Sequence, residues 1–298
     1  MLTNATVNRR RFIAAAATAA AGAALPWSLP SMAGEAPKKR ALKKAIMYGT
    51  IGIEGSVLDK FKALKAAGFH GVEPNSHMDV EEVLRARDAT GLELPSVCCS
   101  THWAKPLSDP NPNVRKEGLD GLIHSLKDAK SYGSTSVLLV PGVVNDKVKY
   151  EEAWERCIAE IRKAIPVAEE TGVKIAIENV WNNFITKPEQ AVALMDAINS
   201  PHVGWHFDIG NVIRYSPPET WIPHLGKRIL KLHLKEFSKV KGFGVGFFEG
   251  DNNWPAIMAA LDQVGYTGWG ITEQPGEQTK AAVVKDFVEK IDKIYAIS

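Results

Sequence analysis

The sequence predicts an α/β fold, a (β/α)8 barrel of the TIM type, and three observations carry that prediction. Eight short apolar β-like runs alternate with amphipathic helical patterns from about residue 45 to the end of the chain. Four side chains able to ligate a metal, Glu178, Asp208, His233 and Glu273, each end one of the last four runs. Their separations of 30, 25 and 40 residues each admit one strand, one helix and two loops.

Taken in order, the predicted strands are Ala45–Gly52, Gly71–Asn75, Leu94–Ser100, Ser134–Gly142, Val173–Asn179, Val203–Asn211, Ile229–Phe237 and Gly268–Gln274. Helical patterns such as VLDKFKALKAAGF, VEEVLRARDATG and YEEAWERCIAEIRKAIPVAEETG lie between them. Gly68, Gly91, Gly133, Gly172 and Gly265 stand just before the next strand, where a left-handed residue closes a helix. Strands alternating with helices imply a parallel sheet, and eight repeats imply closure. An open doubly wound sheet is disfavoured, because the first βα turn is not Gly-rich. The segment PLSDPNP, from Pro106 to Pro112, reads as an ordered loop over the barrel mouth.

The chain divides into residues 1–33 as a signal peptide, residues 34–44 as a linker, and residues 45–298 as the barrel. Asn8-Arg9-Arg10-Arg11-Phe12-Ile13 is a twin-arginine pattern, followed by an Ala-rich apolar run to Leu25. Ser31-Met32-Ala33 offers small residues for cleavage before Gly34. The apolar run is short for a membrane span, which takes about 20 residues. The expected partner is the twin-arginine export machinery, and the expected location is periplasmic or extracellular. Removing 33 of the 298 residues leaves 265, and with three Arg gone the formal charge falls from +2 to −1. Nothing basic remains to suggest nucleic-acid binding. The three cysteines, Cys98, Cys99 and Cys157, suit neither a disulfide framework nor a thiolate zinc site.

Strand periodicity says where the ends point. Lys174, Ala176 and Glu178 share one face of the fifth run, opposite Ile175 and Ile177. His206 and Asp208 share a face opposite Phe207 and Ile209, and Lys231, His233 and Lys235 one opposite Leu232 and Leu234. The apolar faces meet helices, so the carboxylates and the imidazole point into the barrel. Clustered inward carboxylates repel unless a cation compensates. Three carboxylates and one imidazole suit one hard or borderline divalent ion: Mn²⁺, Mg²⁺, Co²⁺ or Zn²⁺.

The motifs IEN at strand five, D-x-G-N at strand six, H-x-K at strand seven and the closing GYTGWGITEQ resemble the xylose isomerase-like barrel superfamily. The resemblance is to its sugar (phosphate) isomerase/epimerase branch and covers about Ala45 to Tyr295. It implies one divalent ion, Mn²⁺ favoured, held by Glu178, Asp208, His233 and Glu273. It also implies that Glu178 and Glu273 are the acid/base pair on opposite faces of a sugar carbon. The metal would stabilise an enediolate while one glutamate removes a proton and the other returns it. Lys235 is a candidate for steadying a substrate oxygen, and Glu73 and His102 for contacting sugar hydroxyls. Trp103 and Trp181 are candidates for stacking on a sugar face. His206 completes the candidate substrate shell, read chiefly as a second-layer hydrogen-bonding histidine. Tagatose-type epimerases often carry His three positions after the metal Asp; here that place is Asn211, able to bond a hydroxyl but not to shuttle a proton. Homo-oligomers are a further expectation from the resemblance.

The function expected is isomerisation or epimerisation of a non-phosphorylated keto sugar, since export disfavours sugar phosphates and no Gly-rich phosphate cradle follows strands seven and eight. The alternatives are an exported 3-keto-glycoside lyase or hydratase using the same metal site, and a sugar-binding barrel without turnover. An endonuclease with several zinc ions is disfavoured by the mature charge and by having only two inward late-strand histidines, His206 and His233.

Overall fold

The structure is a computed structural model that describes residues 40–298. The twin-arginine pattern, the apolar run and the cleavage position lie outside the described residues. Among the described residues no helix is long and apolar enough to cross a membrane.

The eight predicted strands are all present: β1 (Lys43–Met47), β2 (Gly71–Glu73), β3 (Val97–Cys98), β4 (Ser136–Leu139), β5 (Lys174–Glu178), β6 (Val203–Asp208), β7 (Ile229–Leu234) and β8 (Trp269–Thr272). They form one parallel sheet in the order β2-β1-β8-β7-β6-β5-β4-β3. The two edge strands meet through isolated bridges, Gly71 with Glu93 and Asn75 with Cys98, which close the barrel. This seam is thin because Pro74 and Pro95 interrupt it and carry no N–H to donate.

Around the sheet run α1 (Val57–Ala67), α2 (Val80–Thr90), α3 (Pro112–Tyr132), α4 (Tyr150–Thr171), α5 (Pro188–Ile198), α6 (Ile209–Val212), α7 (Pro218–Leu225), α8 (Trp254–Gln263) and α9 (Val284–Tyr295). A reciprocal Ser56–Asp59 capping box starts α1, and Asn111 with Pro112 starts α3. Gly68, Gly91, Gly133, Gly172 and Gly265 all have positive φ, the conformation that closes a helix most easily without a Cβ.

The predicted strands overrun the observed ones at the barrel mouth. The sixth stops at Asp208 because its side chain accepts from the Asn211 N–H at 2.7 Å and caps the single turn α6. Tyr48–Thr50 form a 3₁₀ turn where the first run was expected to stay extended. The main core lies between sheet and helices, where Ile175, Ile177, Trp205, Phe207, Leu232 and Leu234 are buried. Their strand neighbours consequently point into the barrel. The Pro106–Pro112 segment is pinned at its side: Ser108 bonds the Val143 backbone, and Arg156 donates to the Ser108 carbonyl.

Candidate metal centre and active site

Parallel register brings the late strand ends level. Glu178 pairs with His206 across β5 and β6, and Asp208 with His233 across β6 and β7. Glu273 is the first residue after β8, its N–H bonded to the Leu234 carbonyl. The ligating atoms of Glu178, Asp208, His233 and Glu273 all lie within 4.8 Å of one another. One imidazole nitrogen is the hub: His233 Nδ1 is 2.9 Å from Glu178, 3.1 Å from Glu273 and 3.8 Å from Asp208.

The electrostatics are those of a site built for a cation. Three carboxylates face one imidazole, with Lys235 Nζ 2.9 Å from Glu273 and 3.6 Å from Asp208. Burial opposes charge on His233, but Glu73, Asp208 and Glu178 outweigh it and hold its pKa well above the usual range. Asp208 Oδ2 is buried with no hydrogen-bond partner among the described residues. A donor set of three carboxylate oxygens and one imidazole nitrogen fits a hard or borderline divalent ion.

The two glutamates are pushed apart. Burial raises Glu178 to about 7, partly offset by its hydrogen bond to His233. Burial would raise Glu273 too, but Lys235 and His233 overcome it and hold this carboxyl well below the ordinary range. A cavity of about 200 Å³ has Glu178, His233 and Glu273 in its lining beside His102, Trp103, Trp181, Asn211, Lys235 and Phe243.

His102 Nδ1 accepts from the Val140 N–H at 3.2 Å, so in the neutral ring the proton sits on Nε2. Burial lowers its pKa to about 4, so it remains a neutral donor at physiological pH. Trp103 is 54% exposed and stands edge-on to His102. Asn211 donates to the Asn179 carbonyl, and its own carbonyl accepts from Trp181 Nε1 at 2.7 Å.

Two residues of the candidate substrate shell lie behind the cavity: Glu73, expected to contact a sugar hydroxyl, and His206, read chiefly as a second-layer histidine. Glu73 and His206 are fully buried and do not line the cavity. Glu73 lies 3.0 Å from His233 Nε2, the ring nitrogen that does not face the three carboxylates. His206 packs edge-on to the His233 ring, centroids 4.2 Å apart, and burial keeps its own pKa well below the usual value. Both point inward as the periodicity requires, but one layer deeper than the mouth. Glu73, His206 and His233 form a second grouping of ligand-capable atoms.

Sequence reasoning missed two organising residues. Asn179 donates to the Asp208 carbonyl and accepts from the Asp208 N–H and Trp205 Nε1, tying β5 to β6 beneath the Asp208 carboxylate. Glu236, fully buried, accepts from the Phe248 and Asn252 N–H groups and from Trp254 Nε1, shaping the loop after β7. The Asn of IEN and the Glu of H-x-K-E were visible signals for them.

Comparison with known proteins agrees with this architecture. L-ribulose-5-phosphate 3-epimerase UlaE of Salmonella paratyphi C is 24% identical over 249 residues, spanning 76% of this chain and 86% of that protein. The structure of 3-keto-D-glucoside 4-epimerase, YcjR, from E. coli matches with a TM-score of 0.74 at 16% identity, covering 85% of this chain and 98% of that one. The IOLI protein with a binding zinc atom matches with a TM-score of 0.70 at 16% identity, covering 85% and 96%. At these identities the structural likenesses establish the fold. The family described as xylose isomerase-like TIM barrel matches residues 61–294, and the chain belongs to it.

Proposed function

We propose that the protein is a divalent-metal-dependent epimerase or isomerase of a non-phosphorylated keto sugar or sugar derivative. One observation carries the reading: Glu178 and Glu273 flank the same His233 nitrogen at 2.9 and 3.1 Å, with Asp208 3.8 Å from it. The names of the sequence relative, a sugar-phosphate 3-epimerase, and of one structural neighbour, a keto-glucoside 4-epimerase, support sugar epimerisation in general.

Glu178, Asp208, His233 and Glu273 would hold the ion. When bound, it supplies positive charge against which a carbonyl oxygen can gain electron density. Ionised Glu273 takes a proton from the carbon beside the carbonyl, and the C–H electron pair moves toward that oxygen. Glu178, on the other side of the same His233 nitrogen, returns a proton to the opposite face of the same carbon for epimerisation. Delivery to the neighbouring carbon gives isomerisation. Lys235 keeps Glu273 ionised, and His102 offers its Nε2–H to a sugar oxygen.

The charge of the cavity disfavours a phosphate on the substrate. Lys235 is the one Lys or Arg in the cavity lining, and it already faces Glu273 and Asp208. Location outside the cytoplasm belongs to the same reading, on the strength of the Asn8–Ile13 pattern. Replacing Arg9 and Arg10 by Lys should keep the precursor in the cytoplasm on cell fractionation.

The direct test is incubation of the metal-loaded protein with ketoses, aldoses and 3-keto-glycosides in D₂O, followed by NMR and mass spectrometry. Deuterium at a carbon beside the carbonyl, lost in Glu178→Gln and Glu273→Gln, is the expected result. No exchange with any of them would sink the reading. A second outcome, expulsion of a substituent from a 3-keto-glycoside, is favoured by exposed Trp103, a flat surface for an aglycone at the mouth. A released aglycone instead of an isomer identifies it.

A further inference from the structure

The thin seam between β2 and β3 is crossed near the mouth by a group of side chains unconnected with the candidate active site. His77 follows β2 in the loop to α2, while His124 and Asp128 stand one turn apart on α3. Their ligand-capable atoms lie within 4.8 Å of one another. We propose that His77, His124 and Asp128 form a second metal site, a structural clamp across the barrel seam for a borderline divalent ion such as Zn²⁺.

The anchor of the site is Asp128, a buried carboxylate whose Oδ2 accepts from the His77 N–H at 2.8 Å. The same oxygen is 3.3 Å from His124 Nε2. His77 takes a left-handed backbone, φ 65°, which is uncommon outside Gly and Asn. That turn lays its ring on His124, with centroids 4.0 Å apart and 18° between the planes. Behind the ring, Ser76 Oγ lies 2.8 Å from His77 Nδ1 and also accepts from the Ser100 N–H across the seam. With Nδ1 held by Ser76, Nε2 is the nitrogen left to face an ion, the partnering that fixes a ligating histidine. The pKa of His77 is lowered, chiefly by burial and then by His124.

Two imidazoles and one carboxylate make a usual zinc donor set, with a fourth position open to water. The structure separates the nitrogens by ring stacking. His124 is half exposed, so its side chain can turn to bring both nitrogens to the ~2.0–2.1 Å that zinc requires. Such a bond joins the loop after β2 to the helix after β3, where the backbone supplies only isolated bridges.

Equilibrium dialysis of the full barrel against Zn²⁺ tests this, comparing wild type with His77→Ala and His124→Ala. Each variant should bind one equivalent fewer than wild type, whatever the candidate active site binds. Saturating Zn²⁺ should raise the Tm by roughly 5–10 °C at a hundredfold excess over Kd in an Asp208→Asn, Glu273→Gln background. Adding His124→Ala should abolish that rise. Equal stoichiometry in wild type and both histidine variants would overturn the proposal. So would a thermal response to Zn²⁺ that survives both histidine replacements. Both histidines are exposed, and the variants are compared with wild type by circular dichroism before metal is added.

Discussion

Glu73 and His233 meet at 3.0 Å inside the barrel, carboxylate to Nε2, although 160 residues separate them in the chain. A neutral His233 that donates from Nε2 to Glu73 turns an unprotonated Nδ1 toward Glu178, Asp208 and Glu273. On the proposed reading Glu73 would act on a bound ion through the histidine. Glu73→Gln should weaken binding of the divalent ion by roughly 10–100-fold in isothermal titration calorimetry. An unchanged affinity in a folded variant would mean that Glu73 only fills space.

Lys235 favours the ionised form of Glu273, the base of the proposed reaction. Without its ammonium 2.9 Å away, Glu273 loses the nearest cation that keeps it ionised against burial. Lys235→Met should move the acidic limb of the kcat/KM profile upward by about 1–3 pH units. A uniform loss of rate with an unmoved limb would assign Lys235 to substrate contact alone.

His102 makes the fold sensitive to acid. Its ordinary pKa of 6.5 falls to about 4 in the barrel through burial. Between those values the unfolded chain takes up a proton that the folded chain refuses, so stability drops as pH falls from 6.5 toward 4. A difference of 2.5 units corresponds to about 3 kcal/mol. Urea unfolding of His102→Asn should therefore lose less stability over this window than wild type does. Parallel losses in the two proteins would exclude His102 as the source.

Gly210 is the middle of the D-x-G-N motif for a steric reason. A Cβ built there would lie 2.8 Å from the Lys235 carbonyl oxygen and 2.9 Å from Lys235 Cβ. Gly210→Ala should destabilise by about 1–3 kcal/mol through overpacking, and should lower kcat by displacing Lys235. Wild-type turnover in that variant would show that the loop yields without moving the lysine.

Much of this was written in the sequence. The alternation of Ile175 and Ile177 with Ala176 and Glu178 is a two-residue period, and the sheet realises it without exception at β5. The helix-closing glycines were equally legible, because a left-handed residue has few alternatives. Strand ends were less so: a carboxylate such as Asp208 can extend a strand or cap a turn, and only the folded neighbourhood decides. Depth was not legible at all. Glu73 ends its strand as Glu178 does, yet one lies under the His233 ring and the other lines the cavity. The tilt and stagger of a closed barrel, not the residue type, fix that difference.

At the opposite end of the barrel, Arg40 bonds Asp262 on α8 and the carbonyls of Tyr295 and Ile297. The first described residue and the last helix are thereby knotted together where the strands begin, a barrel's length from the cavity. In engineering terms the fold is close to a ring with one cut. The cut is sealed on the face away from the chemistry, so loosening the Arg40–Asp262 bond would open the described barrel there without touching the cavity.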